Sequence, residues 1–408
     1  MKAVGVIVEY NPFHNGHAFH LAEAKKTSGA EIAIAAMSGN FLQRGEPALV
    51  SKWTRTEMAL AAGVDIVFEI PYQYATQQAE IFANGGVSLL IAAGCDSICF
   101  GSEDGNIEAF EETYSFMKKN DGFFQQKVND HIQKGVSYPR ALSLAFTDLF
   151  PEDTLVDLTK PNNILGFQYL KAAKKQNPML NMFTVARKNA AYHDENFSSE
   201  TIASATSIRK VLFSENQQFD QIQPYLPSST LELLKEYQLK YGEFHHWDLY
   251  WPFLKFKLLQ TSPEELRNIN EIEEGIENRL LSQVIGADSF TDFINRLKTK
   301  RYTRTRLQRV CLNLLTNAKK EEMAVIDDAV PYLRLLGMTD KGREYLNKQK
   351  KHFNIPLISK LSSYKGKEIQ LDIRSANIYQ YGLTKSKPEL NHEYKKTPIL
   401  LTKKGTDQ

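Results

Sequence analysis

Cysteine is scarce: the 408 residues hold three, Cys95, Cys99 and Cys311. They cannot all pair, and Cys95 and Cys99 sit in an apolar segment without histidines at metal-ligand spacing, so neither a disulfide scaffold nor a cysteine zinc site is expected. All three read as reduced core residues. Long apolar runs are missing too. Residues 1–8 are apolar, but Glu9 and Asn11 interrupt them before a secretory or membrane-spanning stretch can form. A cytoplasmic protein without a membrane partner is expected. Excess charge is also lacking, with 50 Lys and Arg against 48 Asp and Glu, a net +2, which excludes a chain coated in base. No internal repeat or low-complexity tract occurs.

What is present is ordinary globular material, 42% apolar and 24% charged, in a chain long enough for two or three domains. Residues 2–9 carry Val4, Val6, Ile7 and Val8, a near-continuous β-branched run that predicts a buried parallel strand. It ends at Tyr10-Asn11-Pro12. Helical spacing begins near Gly16, and residues 31–37 give a second strand. The alternation continues with helix 54–62, strand 65–70, helix 77–93, strand 96–100, a helical insertion over 107–149, helix 163–175 and strand 183–187. This pattern predicts an α/β, Rossmann-like domain with a parallel sheet over residues 1–212.

Residues 213–322 read as helical. Stretches 232–237, 263–277 and 289–298 are polar and helix-compatible, while Leu307, Val310, Cys311, Leu314 and Leu315 form one stripe of an amphipathic helix. Residues 323–408 read as a small mixed α+β part, with a tail over 403–408 that lacks an apolar anchor and is expected to be disordered.

Ligands of an open parallel sheet bind beyond the carboxyl ends of its strands. The loops there carry Asn11 and His14-Asn15-Gly16-His17, Ser38-Gly39-Asn40, Gly101-Ser102 and Arg187-Lys188. His14 and His17 at a helix start lie on one face with free backbone N–H groups, an arrangement suited to polyphosphate, and Gly16 admits close approach. Two surface histidines in a turn, or a metal site with His20 and Glu23, are the competing readings. Ser204-Ala205-Thr206-Ser207-Ile208-Arg209-Lys210 offers three hydroxyls and two cations at a second helix start; an ordinary capped helix is the alternative there.

His14-Asn15-Gly16-His17 after a strand resembles the HxGH signature of HIGH-motif nucleotidyltransferases, and residues 204–209 resemble their mobile phosphate-gripping motif. The strings at residues 5–17, 37–45, 135–140 and 161–166 are similar to the bacterial tRNA(Met) cytidine acetate ligase family. The resemblance spans the chain and is strongest over 1–210. It implies a Rossmann-like nucleotidyltransferase (HUP-type) catalytic domain. It also implies activation of acetate by ATP to acetyladenylate, with pyrophosphate released and acetyl passed to N4 of the wobble cytidine, position 34, of elongator tRNA(Met).

By that resemblance His14, His17 and Arg209 serve catalysis, with Arg209 on the β- and γ-phosphates. Ile7, Val8, Glu9, Tyr10, Asn11, Pro12, Phe13, Asn15, Gly16, Ala18, Phe19 and His20 line ATP. Gly101, Asn162, Arg187, Lys188, Ser204, Thr206 and Ser207 add nucleotide contacts. Ala205 departs from the commoner form of the second motif, which leaves the role of each hydroxyl there open. Ser38, Asn40 and Arg44 are candidates for the acetate pocket. ATP is expected to arrive with Mg2+, without a tightly bound protein-ligated metal. The competing functions are a small-molecule nucleotidyltransferase and a non-catalytic RNA-binding protein.

Residues 296–320 hold nine basic side chains and no acidic one. Arg296, Lys298, Lys300, Arg301, Arg304, Arg306 and Arg309 are therefore the expected tRNA contacts, with Tyr302 placed to stack on a base. Lys348, Lys350, Lys351 and His352 form a weaker second patch. No DNA partner is expected.

Overall fold

The computed structural model describes residues 1–136, 138–149, 155–187, 201–214, 218–324 and 329–402. Among them, eight strands form one sheet. β1 (Ala3–Val8), β2 (Ile32–Ser38), β3 (Ile66–Ile70), β4 (Ser97–Ser102) and β5 (Asn181–Ala186) are parallel, in the order β5-β4-β1-β2-β3. The expected alternation is present. All seven residues of β2 are buried, as its unbroken apolar run requires of a strand covered on both faces. The chain winds outward from β1 to β3, then returns to lay β4 on the other side of β1. The β1–β4 gap is thus a topological switch point, where a crevice opens at the strand ends.

One sheet face is covered by helices Ala79–Ala92 and Pro161–Gln176, with Phe82, Val87, Leu90, Phe167 and Leu170 in the core. The other is covered by α1 (Asn15–Ser28) and α2 (Lys52–Ala61), through Leu21, Ala24, Trp53 and Met58. The insertion is three helices, Ile107–Lys119, Asp121–Gln133 and Tyr138–Leu149. All three cysteines are buried thiols.

The helical half has its own core, in which Trp247 stacks on Phe290 at 4.0 Å and the Leu307 stripe of helix Arg304–Thr316 is buried. Burying each such side chain stabilises the fold by about 1.5–3 kcal/mol. Helix Trp247–Gln260 escaped the sequence pattern because Pro252 lies inside it and apolar residues occur around its whole circumference; tertiary packing overrides the proline penalty there. Phe41 and Tyr72, from the strand-end loops, belong to the same core. The helical half is therefore packed onto the rim of the sheet where the loops lie.

The C-terminal part is not a free-standing layer. β6 (Leu333–Thr339) pairs antiparallel with β3, while β7 (Leu357–Ile358) and β8 (Ile399–Leu401) pair parallel with β6. Divisions at 212 and 322 remain a proposal about folding units. Residues 403–408 lie outside the described part.

Candidate active site

A cavity of about 1300 Å3 opens at the carboxyl ends of β1, β4 and β5. Its first wall is the turn after β1. Tyr10 takes φ +49°, a left-handed conformation that costs a non-glycine residue about 1 kcal/mol or more. Its ring is held edge-on between Phe13 at 4.7 Å and His17 at 4.9 Å. Asn11 ties the turn down, accepting Leu49 N–H at 2.7 Å through its side chain and Arg209 Nη1 at 2.8 Å through its carbonyl.

His14 caps α1. Its Nδ1 accepts Gly16 N–H at 3.1 Å, and Nδ1 of His17 accepts His14 N–H at 3.2 Å. The two rings stack at 3.7 Å. A Cβ on Gly16 would lie 2.9 Å from the His14 ring, so glycine is required there. An Nδ1 that accepts a backbone N–H carries no proton, so each neutral ring bears its proton on Nε2. Burial, then the Arg187 and Arg209 charges, push His14 down to about 3. Burial, His14 and Arg187 hold His17 well below the usual imidazole range. Both residues line the cavity as neutral Nε2–H donors. Among the described residues no group of three His, Cys, Asp or Glu is arranged to hold a metal, and Glu23 faces Lys26 instead.

Asn15 reaches across with its amide, donating to the carbonyls of Thr201 and Pro224, both at 3.0 Å. This clasp holds the second motif against the first. In that motif Ser204 caps helix Ala205–Leu212 by accepting Ser207 N–H at 3.0 Å, and the two hydroxyls lie 2.7 Å apart. Ser204 and Ser207 thus shape the helix start; Ser204, Thr206 and Arg209 line the cavity, the last two 3.4 Å from each other. On the far side Arg187 Nη1 lies 3.5 Å from Asn162 Oδ1, and Asn162 donates to Glu103 at 2.7 Å. Gly101 lies between Arg187 and His20. Ile7, Val8 and Phe19 also line the space, whereas Pro12, Phe13, Asn15, Ala18 and Ser207 stand behind it. Lys188 lies outside the described residues.

The family model for HIGH nucleotidyl transferases matches residues 1–394. A tRNA(Met) cytidine acetate ligase of Geobacillus sp. is 47% identical over 98% of this chain and all of its own length. One from Halalkalibacterium halodurans is 44% identical over 99% of this chain and 98% of its own. This chain belongs to the HIGH nucleotidyl transferases, in the tRNA(Met) cytidine acetate ligase family. Crystal structures of Thermotoga maritima TmcAL, apo and bound with alpha-thio ATP, superpose with TM-scores of 0.90 and 0.88 at 30% identity. Each covers 98% of this chain and all of its own.

In this nucleotidyl transferase the expected acetate residues separate. Ser38 is fully buried, and Asn40 accepts Lys52 N–H at 2.8 Å; neither lines the cavity, because their loop turns inward to cap α2. Arg44 does line it, with Gln43, Glu46, Gln77 and Tyr169. Gln43 was visible only as a neighbour of Arg44, and Tyr169 lies inside a helix with no local signal.

The opposite wall comes from the helical half: Arg301, Thr303, Arg306, Arg309 and Lys320, with Asn270, Glu271 and Glu273. The acid-free run 296–320 meets its acids in space. Arg309 pairs with Glu271 at 2.6 Å, Arg301 and Arg306 with Glu274 at 3.1 and 3.6 Å, and Arg296 with Asp292 at 2.8 Å. Lys298, Lys300, Arg301 and Arg304 are exposed. Tyr302 corrects the expectation of a stacking ring: it is buried beneath Arg306 and donates to the Glu274 carbonyl.

Proposed function

We propose that this chain activates acetate with ATP and transfers the acetyl group to N4 of the wobble cytidine of elongator tRNA(Met). The observation that carries this reading is the cavity itself: the histidine motif forms one wall and the basic helical segment forms the other. At about 1300 Å3 it exceeds the roughly 300–1,000 Å3 that suits one small ligand, so a nucleotide and a second substrate fit together.

With the α-phosphate at the His14 and His17 Nε2–H groups, an acetate oxygen attacks phosphorus, the bond to the bridging oxygen breaks and pyrophosphate departs. The two N–H donors and the α1 N-terminus stabilise charge on the α-phosphoryl oxygens, and Arg209 with Thr206 receives the leaving group. Neutral donors suit this step, since they need not lose a proton at working pH. Mg2+ bound to the triphosphate would add charge neutralisation at the departing pyrophosphate, on the side where Arg209 and Thr206 line the cavity. The cytidine enters past Arg301 and Arg306, splayed from the anticodon loop as RNA recognition of a single base requires. Among the described residues no helix is long and apolar enough to cross a membrane.

The test is incubation of tRNA with the protein, ATP and acetate, followed by nucleoside analysis. N4-acetylcytidine in elongator tRNA(Met) is expected, together with acetate-dependent exchange of labelled pyrophosphate into ATP. Exchange that needs a phosphorylated metabolite instead would favour a small-molecule nucleotidyltransferase.

A further inference from the structure

Amide formation at N4 leaves a proton to be removed, and the cavity offers few groups able to take it. His14 and His17 present N–H donors, with their Nδ1 atoms occupied by backbone. His20 lies beside Gly101 and Arg187, on the β4–β5 side with the nucleotide contacts. The lining carboxylates among the described residues are Glu9, Glu46, Glu271 and Glu273. Glu46 lies 3.9 Å from Arg209 and accepts from Gln308 at 3.3 Å. Glu271 is held by Arg309 at 2.6 Å, and Glu273 is exposed beside Lys320 at 4.0 Å.

Glu9 differs from these three. It immediately follows β1, the strand that delivers the histidine motif, and one carboxylate oxygen accepts Gln43 N–H at 2.8 Å. Among the described residues its carboxylate makes no salt bridge, while Arg55 Nη1 donates to its backbone carbonyl at 2.7 Å. The groups around it are Arg44 and Glu46 on the loop after β2, Arg55 on α2 and Tyr169 on helix Pro161–Gln176. Its surroundings are thus the Gln43–Arg44–Tyr169 part of the cavity. The resemblance places Glu9 among the ATP contacts; a carboxylate repels phosphate, so such a contact would fall on the nucleoside and not on the triphosphate. Burial pushes its carboxyl above the usual range, against the Gln43 hydrogen bond and the charges of Arg44 and Arg55, which strengthens it as a base.

We propose that Glu9 is the general base of acetyl transfer, touching the N4 amino group of the cytidine. This rests on the ligase reading above. As N4 attacks the acetyl carbon of acetyladenylate, the N4–C bond forms and the bond from that carbon to the phosphoryl oxygen breaks. AMP leaves with the electron pair, and one N4 proton passes to the Glu9 carboxylate, which releases it to water.

The test uses the full chain with Glu9→Gln, which keeps an oxygen to accept Gln43 N–H, and reads the two half-reactions separately. With ATP and acetate saturating, so that any change in ATP affinity is removed, the maximal rate of pyrophosphate exchange should fall far less than single-turnover acetyl transfer to tRNA, which drops by about 100-fold or more. The wild-type transfer rate should rise with pH through one ionisation to a plateau, and the variant's should be low and lack that ionisation. Transfer near the wild-type rate, or exchange and transfer lost together, overturns the proposal; so does an unchanged pH profile. Failure of the ligase reading is separate, because wild-type protein would then show neither acetate-dependent exchange nor N4-acetylcytidine.

Discussion

At the scale of single residues, the histidine pair shows what composition cannot convey. Two imidazoles three residues apart at a strand-end helix start were legible in the sequence, but their protonation depends on Nδ1 atoms being consumed by the backbone of their own turn. The consequence is measurable. Unfolded His14 has an ordinary value of 6.5, and the folded value is about 3. Above pH 6.5 both states are neutral and stability is unaffected. As pH falls from 6.5 toward 3, only the unfolded state gains the proton, and stability drops by about 1.4 kcal/mol per pH unit. His14→Asn keeps an oxygen to cap α1. We expect its melting temperature to fall less steeply than wild type between pH 6.5 and 4, the window below the ordinary value; parallel slopes would sink this account.

At the scale of elements, strand-end loops are positioned by contacts far away in sequence. Arg55, fully buried on α2, donates to the carbonyls of Glu9, Ser38 and Gly39. Beside it Lys52 lies 2.7 Å from both Glu69 and Glu393, and Trp53 donates to Glu393 at 3.0 Å. Burial alone would raise the Glu393 carboxyl, but Lys52, Arg334 and Trp53 hold it below the usual range. A short C-terminal helix thus completes a charge cluster beneath the loop after β2. Glu393→Gln leaves Lys52 and Arg334 with one counter-carboxylate fewer, and a loss of about 3–5 kcal/mol in urea unfolding is expected. A change under 1 kcal/mol would mean that the cluster relaxes without Glu393. Nothing local marks Glu393, since Lys52 and Trp53 lie more than 300 positions earlier and Arg334 sits on another element.

At the scale of the whole molecule, the cavity exists because the helical half packs on the sheet's ligand-binding rim. Gly45, at φ +77°, is the close point: a Cβ there would lie 2.5 Å from the Arg309 backbone nitrogen. The basic segment therefore divides in environment. Arg309 is committed to Glu271, whereas Lys298, Lys300, Arg301 and Arg304 are exposed. Neutralising those four should weaken tRNA binding and flatten its dependence on salt by about 0.7 per lost phosphate contact in a log–log plot. Pyrophosphate exchange should be unchanged. An unaltered salt slope in a filter-binding titration would show that tRNA approaches elsewhere.

The parallel sheet, the histidine motif and Arg209 were legible in the sequence, because β-branched runs, strand-end turns and helix caps are set by neighbours a few positions apart. The amphipathic Leu307 stripe was legible for the same reason. Tertiary structure alone decided that β6 extends the sheet, that Ser38 and Asn40 turn away from the cavity, and that Tyr302 lies under Arg306. It also gave acidic partners to a run that has none in sequence, and left the Glu9 carboxylate without a salt bridge among the described residues. Those outcomes depend on which groups meet when separate elements pack, and pairing and burial, unlike periodicity, have no local signature.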